Sequence, residues 1–155
     1  MTDLSAIKQK IVDILLLDTV LCTLLDEDPA GDVPIYNGWQ FGKHPVFPSV
    51  TVTDIADSGE VSGLGDGFDG TYRYEWSYVV VQIDVWAPNE ASRDSITTQV
   101  RKAMLSATTD FTGLGVYFLS SLIAVVNEPN ELVFRHSIRY NVFYEVSAEV
   151  TEDEE

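Results

Sequence analysis

Cysteine, histidine and lysine are all scarce in this 155-residue chain, and each scarcity removes a class of chemistry. Cys22 is the only thiol, so no intramolecular disulfide forms and no zinc site built on several thiolates is available. His44 and His136 are the only imidazoles, and neither Cys22 nor any serine lies in a glycine-flanked nucleophile elbow. The four lysines, Lys8, Lys10, Lys43 and Lys102, are scattered and make no patch able to neutralise duplex phosphates, so specific nucleic-acid binding is not expected. Long apolar runs are missing too. The longest, Ile11 to Leu25, is broken by Asp13, Asp18, Thr19 and Thr23, short of the roughly 20 apolar residues a membrane span requires. Met1 is followed by Asp3 and a helical pattern, so no signal peptide is expected and synthesis in the cytoplasm is.

What is present is acid, aromatic rings and β-branched residues. The formal charge is −16, from 25 acidic residues against 9 basic ones. Self-repulsion of that size needs screening or partners that accept it. Adaptation to high salt, where the Debye length is about 3 Å at 1 M, is one reading, and an acidic protein of ordinary salt is the other. With 45% apolar residues the chain is long enough for one domain, read as residues 1–148, followed by an acidic flexible tail at 149–155.

Leu4, Ile7, Ile11, Ile14 and Leu15 recur at three- and four-residue spacing, one stripe of a helix with Thr2 as its cap. Leu17, Val20, Leu21, Leu24 and Leu25 continue the pattern beyond Asp18, where the helix either bends or restarts. Residues 26–48 carry Pro29, Gly31, Pro34, Gly38, Gly42, Pro45 and Pro48, and read as an ordered loop anchored by Tyr36, Trp39, Phe41 and Phe47. A strand through Val50, Val52 and Ile55 is followed by DSGEVSGLGDGFDG, whose five glycines from 59 to 70 predict a long flexible hairpin tip. The tip is faintly like a calcium loop, but it lacks the spacing and terminal glutamate of an EF-hand and occurs once, so neither metal nor cofactor is expected.

Tyr72 to Ala87, YRYEWSYVVVQIDVWA, predicts a long strand with two occupied faces. Val79, Val81, Ile83 and Val85 line one; Tyr72, Tyr74, Trp76, Tyr78 and Trp86 line the other. A small sheet buries one such face within its own core, which implies a second protein surface for the other. A second helix follows, capped by Asn89, with Ile96, Val100, Ala103, Met104 and Ala107 as its stripe. Phe118 to Val126 reads as a short strand, and Leu132 to Val146 as an alternating one. Leu132, Phe134, Ile138, Tyr140, Val142, Tyr144 and Val146 share the second strand's apolar face, where His136 reads as a hydrogen-bonded core histidine. Arg135 and Arg139 share its polar face, and either hold acids across a subunit boundary or make salt bridges to a neighbouring strand.

The order helix, strand, strand, helix, strand, strand predicts an α+β fold: a four-stranded, mostly antiparallel sheet with helices packed on one face and a long hairpin loop between the first two strands.

This order resembles the tail-terminator and tail-completion (tail-to-head joining) proteins of tailed viruses. The likeness rests on the leading helix, the aromatic loop ending HPVFPSVTV, the strand VVVQIDVWA followed by the helix DSITTQVRKAML, and the closing strand FRHSIRYNVFYEV. It covers most of the chain as a pattern of elements, and departs from the family in acidity and in the glycine-rich tip. The resemblance implies a non-enzymatic virion protein that forms a ring, usually of six copies, which ends the tail tube and joins it to the head connector. Its partners would be its own copies, the tail tube protein and the head connector or adaptor, with DNA passing through. A ring needs a heterologous interface, for which Tyr72, Tyr74, Trp76, Arg135 and Arg139 are the candidates. An acidic channel would repel DNA phosphates, and Asp57, Glu60, Asp66 and Asp69 are placed facing it. The acidity fits a virus of a salt-loving host. Two other readings stay open: a head-completion or neck connector protein of the same architecture, and a small acidic enzyme or ligand-binding domain with a pocket near His44 or His136.

Overall fold

The computed structural model describes residues 4–27, 31–38, 47–61, 72–107, 116–119, 124–129 and 134–149, with the backbone alone at 55–61, 72–78, 116–119, 124–129, 143 and 145–149. Thr2, Trp39, Phe41 and His44 lie outside these residues.

Helix α1 (Leu4–Leu17) buries Ile7, Ile11, Val12, Ile14 and Leu15, the stripe its spacing predicts. At Asp18 the backbone leaves the helical region (φ −80°, ψ 105°) and the chain restarts as α2 (Thr19–Leu24). The Asp18 carboxylate accepts the Leu21 amide at 2.9 Å, satisfying a donor that the new helix would otherwise leave orphaned. The restart breaks the phase of the apolar stripe. Leu21 and Leu25 are buried, whereas Leu17, Val20 and Leu24 are exposed, because a new helix need not keep the old one's orientation.

β1 (Ile35–Asn37) lies within the segment read as loop, parallel to β2 (Ser49–Val61) with Ile35 opposite Val50. Gly38 ends it at φ +102°, a conformation L side chains rarely adopt, while donating its amide to the Val52 carbonyl at 2.8 Å. β2 itself runs well past Ile55, through residues read as the start of the flexible tip. Gly59 is held opposite Ser77 in an antiparallel ladder, and cross-strand bonding outweighs a glycine penalty of about 1 kcal/mol. A bulge between Asp54 and Ala56 resets the register of this outer half.

β3 (Tyr72–Ala87) has the bounds its sequence predicts. It pairs with β2 on one side and along its full length with β6 (Phe134–Glu149) on the other, from Tyr72 opposite Glu149 to Ala87 opposite Phe134. Between them α3 (Glu90–Ser106) is capped by Asn89, whose side chain accepts the Ser92 amide at 2.8 Å. The strand predicted from Phe118 to Val126 is two: β4 (Val116–Leu119) against residues 142–144 of β6, and β5 (Ala124–Pro129) against residues 134–139. The six strands run β1-β2-β3-β6, with β4 and β5 sharing the outer edge of β6. The fold is α+β with a mostly antiparallel sheet, as the element order predicts. The four expected strands are present, with one divided and β1 added. β6 runs to Glu149, one residue into the segment read as tail.

The core lies between the helices and one sheet face. Val50, Val52, Val79, Val81, Ile83, Val85, Ile138 and Val142 are fully buried against Ile7, Ile11, Leu15, Leu21, Ile96 and Met104. Burial of each large aliphatic side chain contributes about 1.5–3 kcal/mol, which fixes the register of β3 and β6 because a one-residue slip would turn this whole set to the other face. No helix among the described residues is long and apolar enough to cross a membrane.

Candidate interaction surfaces

The sheet's second face is not uniformly apolar. Three cross-strand rows span β2, β3 and β6: Ser49–Trp86–Arg135, Thr51–Asp84–Ser137 and Thr53–Gln82–Arg139. Ser49, Thr51, Thr53, Gln82, Asp84 and Ser137 are all buried, which makes a polar belt behind the valine core. Asp84 is its centre at 0% exposure. It accepts hydrogen bonds from Gln82 Nε2 (3.1 and 3.0 Å to its two oxygens), from Arg135 Nε (3.1 Å) and from the Ser137 hydroxyl. A buried carboxylate is tolerable only when its lone pairs are occupied in this way. Arg135 also stacks over Trp86, 5.0 Å from the ring centre, and the Trp86 indole donates to Thr51 Oγ1 at 3.1 Å.

Both candidate arginines are therefore engaged inside the sheet. Arg135 pairs with Asp84 of the neighbouring strand, and Arg139 Nε donates to Gln82 Oε1 at 3.0 Å. The Arg135–Asp84 pair is a cross-strand salt bridge of the kind the second sequence reading describes, whereas the partner of Arg139 is a neutral amide. Tyr72, Tyr74 and Trp76 lie in the outer half of β3, opposite Glu149, Ser147 and Glu145 of β6. Of the acids assigned to a channel, Asp57 and Glu60 are on β2, opposite Val79 and Trp76, positions of opposite parity in β3. Asp66 and Asp69 lie outside the described residues.

A second surface, in the helical layer, was masked in sequence by the apparent continuity of the leucine pattern. Leu16, Leu17, Val20 and Leu24 are exposed at the α1–α2 corner, Leu17 at 82%. On α3, Leu105 is 75% exposed beside the exposed Arg101 and Lys102. The corner is pinned to α3 by Gln99, whose amide donates to both Asp18 oxygens at 3.1 and 2.9 Å.

Among the described residues the remaining titratable groups do not converge on a catalytic arrangement. The Cys22 thiol donates to the Leu16 carbonyl at 3.3 Å, and burial, reinforced by the nearby Asp18 charge, pushes its pKa up, which keeps it protonated and poorly nucleophilic. His136 faces the core as its parity predicts, but the expected hydrogen bond is not made among the described residues: both ring nitrogens are buried and find no partner there. Burial foremost, then the Arg93 charge, lowers its pKa; Asp94 pulls the other way, and Arg101 adds a smaller lowering. The neutral ring is the stable form. Among the described residues no group of three His, Cys, Asp or Glu side chains is placed to hold a metal ion.

The sequence matches no family model and no curated protein sequence. Among solved structures, the chain is similar to a chain of the "Virion of native gene transfer agent (GTA) particle", with a TM-score of 0.58 and 14% identity over 90% of this chain and 94% of that one. At this identity the likeness is one of fold, and it extends over nearly the whole of both chains.

Proposed function

We propose that this protein is a structural component of a tailed-virus particle, forming a ring at the head-tail junction that ends the tail tube and joins it to the head connector. The observation that carries the reading is the fold shared with a chain of a virion particle over 90% of this chain and 94% of that one. The element order that resembles tail-terminator and tail-completion proteins supports the same position. The charge of −16 supports it physically, because an acidic ring lets DNA pass without adhering. In this reading six copies close the ring, Tyr72, Tyr74 and Trp76 meet a neighbouring copy, Arg135 and Arg139 brace the strand that presents them, and Glu60, which shares a row with Trp76, contributes to the acidic lining with Asp66 and Asp69. The protein performs no catalysis.

The test is the mass of the purified protein, by light scattering in low and high salt, and its position in assembled particles by cross-linking. A ring of several copies that cross-links to the tail tube protein is expected. A monomer under all conditions, absent from the particle, overturns the reading.

A further inference from the structure

Resting on the ring reading above, we infer that two different patches of the helical layer bind one another between copies, so that the α1–α2 leucine corner of one copy docks on the outer face of α3 of the next. The first patch has an apolar centre. Leu16, Leu17, Val20 and Leu24 are exposed there, although burying a leucine releases about 1.5–3 kcal/mol. Its rim is anionic: Asp13 is exposed one helical turn before Leu16 and Leu17, and Asp26 and Glu27 are exposed just after α2.

The second patch carries the opposite charge. Thr98, Arg101, Lys102 and Leu105 recur at helical spacing and are all exposed, so they form one outward stripe of α3. Lys8, Arg93 and Arg135 are engaged in ion pairs, whereas Arg101 and Lys102 make none among the described residues. Unpaired cations beside an exposed leucine stand out on a chain carrying 25 acidic residues, and the surface that complements them is the acid-rimmed leucine corner. Among the described residues no ion pair joins the two patches within one copy, and Gln99 holds the corner to α3 from a position outside the outward stripe. Because the patches differ, a contact between them across copies is heterologous and propagates from copy to copy.

The experiment uses two variants of the full chain, each blocked on one patch: Leu17→Asp, and Arg101→Glu with Lys102→Glu. All three residues are exposed, so unchanged circular dichroism is expected and is checked first. Wild type is expected to exceed two copies in mass. Each variant alone is expected to associate at least tenfold more weakly, and an equimolar mixture to recover association as pairs, since each supplies the patch the other lacks. Variants that assemble as wild type does overturn the seam and leave the ring intact. A wild-type mass stopping at two copies overturns its head-to-tail character. A wild-type monomer overturns both the seam and the ring.

Discussion

Replacing Asp84 by alanine tests the polar belt most directly. The carboxylate is fully buried and accepts from Gln82, Arg135 and Ser137, so its removal leaves an amide, a guanidinium and a hydroxyl without their acceptor. Breaking a buried ion pair by deleting one partner costs about 3–5 kcal/mol, a large share of the roughly 5–15 kcal/mol that holds a domain folded. With a urea slope of about 2 kcal/mol/M, the unfolding midpoint should fall by about 1.5–2.5 M. Tryptophan fluorescence is a suitable probe because Trp86 lies 5.0 Å from the Arg135 guanidinium. Arg135→Ala should cost less, about 1–3 kcal/mol, because Arg135 keeps 23% of its side-chain exposure and water compensates part of the loss. The double variant should then lose less than the sum of the two, with a coupling of at least about 1 kcal/mol. A midpoint shift below about 0.5 M for Asp84→Ala at matched protein concentration, or strictly additive losses, would refute the account of Asp84 as the acceptor on which the belt depends.

His136 is held neutral in the fold, so as pH falls below its ordinary value of 6.5 the unfolded chain takes up the proton first. Stability is complete above that pH and declines below it until the lowered native pKa is reached, at up to about 1.4 kcal/mol per pH unit. His136→Phe should lose this component; a constant difference between the two proteins' midpoints from about pH 7.5 to 5 would contradict it. Asp18→Ala removes both the α2 cap and the Gln99 bonds and should cost about 2 kcal/mol, lowering Tm by about 4–8 °C. Asp18→Asn keeps a capping oxygen and should cost less than half as much, and equal losses would count against the cap. Trp76→Ser, in the outer half of β3, should lower the assembled fraction about tenfold with unchanged circular dichroism, and an unaltered mass distribution would remove Trp76 from the copy-to-copy contact.

Local patterns were legible where one signal sufficed. β3 has its predicted ends because a sixteen-residue stretch rich in aromatic and β-branched residues is bounded by a glycine-rich stretch and Pro88. The Asn89 cap and the stripe from Ile96 to Met104 agree with each other, and the structure keeps both. At Asp18 the sequence allowed two outcomes, and the cap bond to Leu21 decides for a restart. β1 was not legible, since three residues between Pro34 and Gly38 carry no periodicity and become a strand only by lying beside Val50. Gln82 and Asp84 stood in plain view as polar residues inside a strand. Their role depends on register, which alone sets them opposite Arg139 and Ser137.

Composition and spacing by themselves determined the α+β class, the valine face of β3, the acidic character and the absence of a multi-thiolate metal site, because these follow from residue identity and short-range geometry. Only the tertiary structure decided which apolar residues stay in water and which charges enter the core. Leu17 and Leu21 are chemically alike, yet the restart at Asp18 leaves one exposed and buries the other. Asp84 resembles any other acid of the chain until β6 brings Arg135 and Ser137 to it. Burial and pairing are relations between residues far apart in the chain, so they exist only once the strands are in register.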